Sequence, residues 1–340
     1  MKRIIVLFVL VSFIFCAPVS QADAENIAEN FYNYKNDPRE STFTIESTQV
    51  YSIENENVFY VITLEPNGFI LVSYDSFIRP VLAYSFENNF RFDNIPTNVN
   101  YIFDLYGRQI KEQRESRDEP EAYIIDEWDK FSRFVQYEPQ NRGVNPLIQA
   151  RFDQGSPWNA MCPSNSDGTA LVGCVAVSMA QIMHYWSYPT IGYGSHGYNH
   201  PDYGYQSVNF GNSYYDYSDM PNNMASGESQ ELLYHAGVAV NMDYGVDGSG
   251  AQVSGGNPSA FYAMKNYFLY KTNMDQVEPW QYDGDDGSQY RALLENELNN
   301  NRPMIYVGFS SDGGHAWNID GYDDDGYFHN NWGWGGYQNG

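Results

Sequence analysis

The sequence predicts an α+β chain of two units, a small first domain and a larger second one that holds all the chemistry. Three observations carry this. The chain has 340 residues, more than one domain usually spans. A polar stretch at 138–146, marked by Pro139, Gly143 and Pro146, breaks the apolar periodicity and reads as an exposed linker open to proteolysis. Every histidine, with Cys162 and Cys174, lies beyond that stretch.

Residues 1–22 read as a signal peptide: Lys2 and Arg3 start it, residues 4–15 are apolar, and Ser20-Gln21-Ala22 is a small-x-small cleavage site. This predicts a secreted, extracellular protein, with the cell surface or periplasm as other destinations. Phe15 stands where a lipoprotein leader has a small residue, so no lipid anchor is expected on Cys16. The apolar run is short for a bilayer, and no later stretch predicts a transmembrane segment.

From residue 23 to 142 the pattern is that of a small α+β domain without cysteine or histidine. Residues 25–34 read as a helix. Val58 to Ile62 and Phe69 to Ser73 flank Pro66-Asn67-Gly68, which predicts a hairpin. Two amphipathic helices follow at 98–117 and 121–134.

A formal charge of -25, with 30 Tyr against 18 Lys and Arg, leaves no basic stripe for a phosphate backbone or an anionic membrane. Nucleic acid is therefore excluded as a partner.

In the second domain, 143–340, Gly173 precedes a run of small and apolar residues from Cys174 to Trp186 that predicts a buried helix with Cys174 at its N-terminus. Unpaired N–H groups and the helix dipole favour a thiolate there. Cys162 is the other cysteine of the exported chain, so the two are either a disulfide or free thiols. Gly313-Gly314-His315 opens a strand-like run, and the Asp323 to Gly326 turn returns the chain through Tyr327 to Asn330. That hairpin predicts His315 and Asn330 side by side, the histidine as base and the amide oxygen as its orienter. Trp332 would cover that contact. Upstream, Gln154 would give a side-chain N–H to an oxyanion hole with the backbone N–H of Cys174. Residues 192–223 read as long loops.

In this order, Asp153 to Asn159, Gly173-Cys174-Val175-Ala176, Met242 to Gly245, Gly314-His315-Ala316 and Asn331 to Gly336 resemble the streptopain family of bacterial papain-like cysteine peptidases. The resemblance implies a papain-like fold, with the cysteine on a helix facing the histidine on an antiparallel sheet. It implies Cys174 as nucleophile, His315 as base and then acid, and Gln154 as oxyanion donor. Gly314, Ser249 and Gly250 would line the substrate cleft through backbone groups. The streptopain pattern lacks the asparagine two before the tryptophan, whereas Asn330 matches the Asn-x-Trp-Gly of papain-type enzymes. The family also implies that residues 23–142 are an inhibitory prodomain, making the chain a zymogen with protein or peptide substrates and its own prodomain as intramolecular inhibitor.

Two other readings stay open: an amidase or acyl transferase acting on a non-protein substrate, and an inactive binding or adhesion protein. No cofactor is expected. His196 and His200 are separated by a glycine-rich segment that suits no zinc site, and Asp283, Asp285 and Asp286 lack calcium-loop spacing. A papain-like sheet is expected to continue beyond Gly340.

Overall fold

The structure, a computed structural model, describes residues 18–340 except 38, 91, 93–94, 96, 117–118, 138–142, 272, 283–286 and 311–312. The predicted leader up to residue 17, the middle of the predicted linker and the acidic residues Asp283, Asp285 and Asp286 lie outside the described residues. The chain divides into two compact units, one made of residues up to 65 with 70–84 and 104–138, the other of 66–69, 85–103 and 139–340.

The first unit opens with α1 (Gln21–Lys35), capped by the Ser20 hydroxyl accepting the Asp23 N–H at 3.2 Å, so the predicted cleavage after Ala22 falls in its first turn. Ala24, Ile27, Ala28 and Phe31 recur at helical spacing and are buried, which gives the helix its packing face. Strands β1 (Ile45–Ile53), β2 (Glu56–Leu64), β3 (Phe69–Ser73) and β4 (Val81–Ser85) lie side by side in sequence order. The predicted hairpin is thus β2 with β3. Glu54 and Asn55 take φ of 50° and 67°, the left-handed pair that a two-residue hairpin turn between β1 and β2 requires. Helices α2 (Thr97–Ser116) and α3 (Ala122–Phe131) match the two amphipathic stretches. Phe31 meets Tyr84 and Phe131 edge-on, with centroids 5.0 and 5.3 Å apart. The division between units falls inside α2, so residues 85–103, predicted with the first domain, pack as part of the second unit.

In the second unit β5 (Gly143–Val144) is followed by the short hairpin β6 (Ser164–Asn165) and β7 (Gly168–Thr169) and then by α4 (Cys174–Trp186). Residues 192–223 are not simply loops. They contain the hairpin β8 (His196–His200) and β9 (Gly204–Val208), whose glycine and tyrosine content hides strand periodicity. Helices α5 (Gly227–Ala239), α6 (Ala260–Asn266) and α7 (Ser288–Asn299) come next. The antiparallel sheet β10 (Met304–Ser310), β11 (Gly313–Asp323) and β12 (Phe328–Asn331) completes the unit, with β5 on the far end of β11. Helix α4 is buried from Cys174 to Met183, between α5 and α6 and against β11. The expected pairing of a cysteine-bearing helix with a histidine-bearing antiparallel sheet is therefore present.

Candidate active site

Gly173 caps α4 with φ 90°, and a Cβ built on it would lie 2.6 Å from Met242 Sδ. Glycine is needed on both counts, and it lets the chain turn so that Cys174 starts the helix. Cys174 and Cys162 are both free and buried. The Cys174 sulfur accepts the backbone N–H of Ala316 on β11 at 3.4 Å. The sulfur of the helix and the strand of the histidine are thereby joined one residue from His315.

The thiol pKa does not fall as the helix terminus alone predicts. Burial, with Cys174 only 7% exposed, pushes it up, and the N–H groups of Ala316, Val175 and Cys174 itself pull it down without reversing the direction. Burial also lowers the pKa of His315. Both directions favour a neutral thiol beside a neutral imidazole in this form. Consistently, the His315 imidazole makes no hydrogen bond to Cys174 or to any other described residue, while its backbone lies in the ladder opposite Gly308.

On the sheet, His315 lies opposite Gly308 of β10, while Asn330 lies opposite Ile319. The two side chains are therefore offset along the hairpin rather than adjacent. The offset follows from counting back from the turn; the register shift between Ile319 and Gly321 moves Asn330 from the place opposite Asp320 to the place opposite Ile319, on the strand face that His315 also occupies. The Asn330 amide oxygen instead accepts the Trp317 indole N–H at 2.9 Å, and its N–H groups go to the carbonyls of Phe328 and Gly340 at 2.9 and 3.4 Å. Trp332 packs on Trp317 with centroids 5.1 Å apart and the rings tilted by 40°, and donates its indole N–H to Gln338 O at 2.9 Å.

Gln154 is 4% exposed, and its carbonyl accepts the Val172 N–H at 2.9 Å, fixing it beside the residues that lead into Cys174. The Asp153 carboxylate accepts the Gly155 N–H at 2.8 Å and so closes the turn around Gln154. Ser249 uses its hydroxyl internally: it donates to Leu171 O at 2.7 Å and accepts the Gly245 N–H at 3.0 Å. Gly250 and Asp243 exchange backbone hydrogen bonds of 2.8 and 3.1 Å. Gly314, opposite Phe309 at the start of β11, is exposed.

His196 and His200 sit on one strand, not in a loop. Their Nε2 atoms lie 2.5 Å from Asn241 Oδ1 and 3.2 Å from Asp243 Oδ1. Sequence reasoning did not find the amide cluster beneath the site. Gln181 on α4, Asn318 on β11 and Asn331 on β12 are each at most 1% exposed, and Gln181 hydrogen-bonds both of the others. The available signal was three buried-position amides in segments already singled out for other residues.

A family model described as the Peptidase C10 family matches residues 152–340, and one described as the Spi protease inhibitor matches residues 16–110. The thiol protease/hemagglutinin PrtT of Porphyromonas gingivalis is 30% identical over 346 residues, covering 95% of this chain. This chain spans 38% of that relative's length. Streptopain of Streptococcus pyogenes is 28% identical over 305 residues, covering 83% of this chain and 72% of streptopain. Among solved structures, a prointerpain A fragment from Prevotella intermedia aligns with a TM-score of 0.68 at 26% identity, covering 86% of this chain and 91% of the fragment. The active wild-type interpain A cysteine protease aligns at 0.52 with 31% identity, covering 61% of this chain and 89% of its own.

Proposed function

The chain belongs to the Peptidase C10 family, and from that premise we propose that it is a secreted cysteine endopeptidase made as an inactive precursor. The observation that carries the reading is the hydrogen bond from Ala316 N–H to the Cys174 sulfur, which brings the helix terminus and the His315 strand together. The match of residues 16–110 to a protease inhibitor supports the precursor half of the reading, as does the absence of a bond between His315 and Cys174.

In the active form His315 takes the Cys174 proton, and the thiolate attacks the scissile carbonyl carbon. A C–S bond forms, and the carbonyl electron pair moves to oxygen. The Cys174 backbone N–H and the Gln154 side-chain N–H stabilise that oxyanion. As the intermediate collapses the C–N bond breaks, and the imidazolium gives its proton to the leaving amine. Water then attacks the thioester while His315 accepts its proton, and release of the acid restores the thiol. Asn330 orients His315 once the precursor contacts are removed, and Trp332 with Trp317 shields that end of the hairpin. Backbone groups of Gly314 and Ser249 bind the peptide, Gly250 lines the cleft while its N–H and C=O hold Asp243, and a hydrophobic residue is favoured at the second position before the cut.

Restraint of the precursor has a local basis in the second unit. Tyr101, at the start of α2, packs on Gly308, the residue opposite His315, and a Cβ on Gly308 would lie 2.6 Å from the Tyr101 ring. The segment 85–103 thus holds the histidine end of the sheet until it is removed. Export through the leader at residues 1–22 completes the reading; among the described residues no helix is long and apolar enough to cross a membrane. Incubating the full chain with a fluorogenic peptide before and after limited proteolysis tests this. Activity should appear only after cleavage, and equal rates before and after would remove the precursor reading.

A further inference from the structure

We propose that Gln181 is a positioning residue of the reaction, whose buried side-chain amide fixes the helix carrying Cys174 against the strand carrying His315. The proposal rests on the peptidase reading for the identity of those two groups.

Gln181 follows Cys174 by seven residues, just under two helical turns, so both side chains leave α4 on the face turned to β11. The helix meets that strand through two polar contacts two residues apart on β11, one to its backbone and one to a side chain. At the upper one the Cys174 sulfur accepts the Ala316 N–H at 3.4 Å, and at the lower one Gln181 Oε1 accepts from Asn318 Nδ2 at 2.8 Å. Asn318 gives its other N–H to Ser178 O at 3.2 Å, one turn below the nucleophile.

The donor end of Gln181 reaches two further segments. Its Nε2 donates to Ala150 O at 3.1 Å and to Asn331 Oδ1 at 3.0 Å, while Asn331 Nδ2 donates to the same Ala150 carbonyl at 3.0 Å. Ala150 is on the stretch that leads to Gln154, and Asn331 precedes Trp332. One side chain therefore links the nucleophile's helix, the base's strand, the return strand and the approach to the oxyanion residue.

An apolar side chain would fill the same space, but it would not resist sliding or rotation of the helix on the sheet. Directional hydrogen bonds do. The arrangement also leaves the Asn318 amide oxygen buried with no partner among the described residues. Such a loss is uncommon in a native interior and is accepted here while both Asn318 N–H groups stay on α4.

The test uses the full chain, converted to its trimmed form by one added protease, as wild type, as Gln181→Met, and as the triple variant Gln181→Met, Asn318→Leu, Asn331→Leu. Met keeps the length and removes the polar atoms. The triple variant also removes the partners that the single variant orphans, which restores stability when lost pairing is the only defect. The readouts are kcat and KM on a fluorogenic peptide, urea unfolding, and the pH profile of Cys174 alkylation by iodoacetamide.

If Gln181 positions the pair, kcat falls about tenfold to a hundredfold with KM nearly unchanged. The alkylation profile then moves toward that of an isolated thiol, and both defects persist in the triple variant although its unfolding midpoint recovers. A triple variant with wild-type kcat and alkylation profile overturns the proposal, as does a folded single variant indistinguishable from wild type. Alkylation needs no peptide, so it separates the two ideas: wild-type enzyme that alkylates with a paired-thiolate profile yet cuts no peptide refutes the peptidase reading, while the variants' profiles still decide the role of Gln181.

Discussion

The backbone N–H of Ala316 donates to the Cys174 sulfur at 3.4 Å, while the imidazole of His315, one residue earlier on the same strand, makes no bond to that sulfur. The sulfur is thus tied to the strand that carries His315 without a bond to its imidazole, and burial pushes the thiol pKa up.

Loosening the precursor's hold should show at this thiol. Tyr101→Ala removes the ring over Gly308 and should raise the rate of Cys174 alkylation in the uncut chain about fivefold, the equivalent of ~1 kcal/mol for one aromatic contact. Mass spectrometry of the alkylated peptide reads the rate at Cys174 separately from that at Cys162. An unchanged rate would remove Tyr101 from the inhibitory contact.

Asn330 should behave differently in the two forms. In the precursor its amide oxygen serves the Trp317 indole, so Asn330→Ala should lower the stability of the uncut chain by about 1 kcal/mol, measured by urea unfolding. In the trimmed enzyme the same change should lower kcat through loss of histidine orientation. A stability loss with full kcat would leave Asn330 as a scaffold residue only.

Gly173 is constrained twice, by φ 90° and by Met242 Sδ at 2.6 Å from a built Cβ. Gly173→Ala should therefore destabilise the chain by about 2–4 kcal/mol and displace the start of α4. The checks are the thermal midpoint and the alkylation rate of Cys174. A loss under 0.5 kcal/mol, the usual size of a surface change, would contradict the geometry.

Acid should destabilise the fold through histidines buried in neutral form. Burial lowers the pKa of His184 and His315 and brings that of His235 down to about 4. Their folded values lie below their unfolded ones, so below pH ~6.5 the unfolded chain takes up more protons. Stability present above that pH is lost progressively as the pH falls toward 4. The His235 side chain is 12% exposed, and its contribution is about 3 kcal/mol or less. Urea unfolding between pH 7 and 4 should show the decline, and His235→Gln should flatten it. A slope unaffected by that change would place the acid sensitivity elsewhere.

Much of this was legible in the sequence, and the limits have physical causes. Gly173-Cys174 before a small, apolar run identifies a buried helix and its first residue because both signals are local. The turn from Asp323 to Gly326 likewise gives β11 and β12. Counting back from that turn also separates Asn330 from His315; what was not legible is the bulge near Asp320, which depends on both strands together and sets Asn330 opposite Ile319. The hairpin His196–His200 with Gly204–Val208 was hidden by glycine and tyrosine, which read equally as loop. Gln181 looked like an ordinary helix residue because the partners that give it meaning, Asn318 and Asn331, lie more than a hundred residues away and meet it only in the folded chain. Burial of Cys174 also outweighs the helix-terminus effect, and burial is a tertiary property.

The most direct measurement is a peptide-library digest by the trimmed protein, run beside Cys174→Ala and beside wild type alkylated at Cys174. Cleavage by the wild type that vanishes in both controls is the predicted result. Peptide cleavage that persists in Cys174→Ala would contradict the account, and so would a trimmed wild type that leaves every peptide intact.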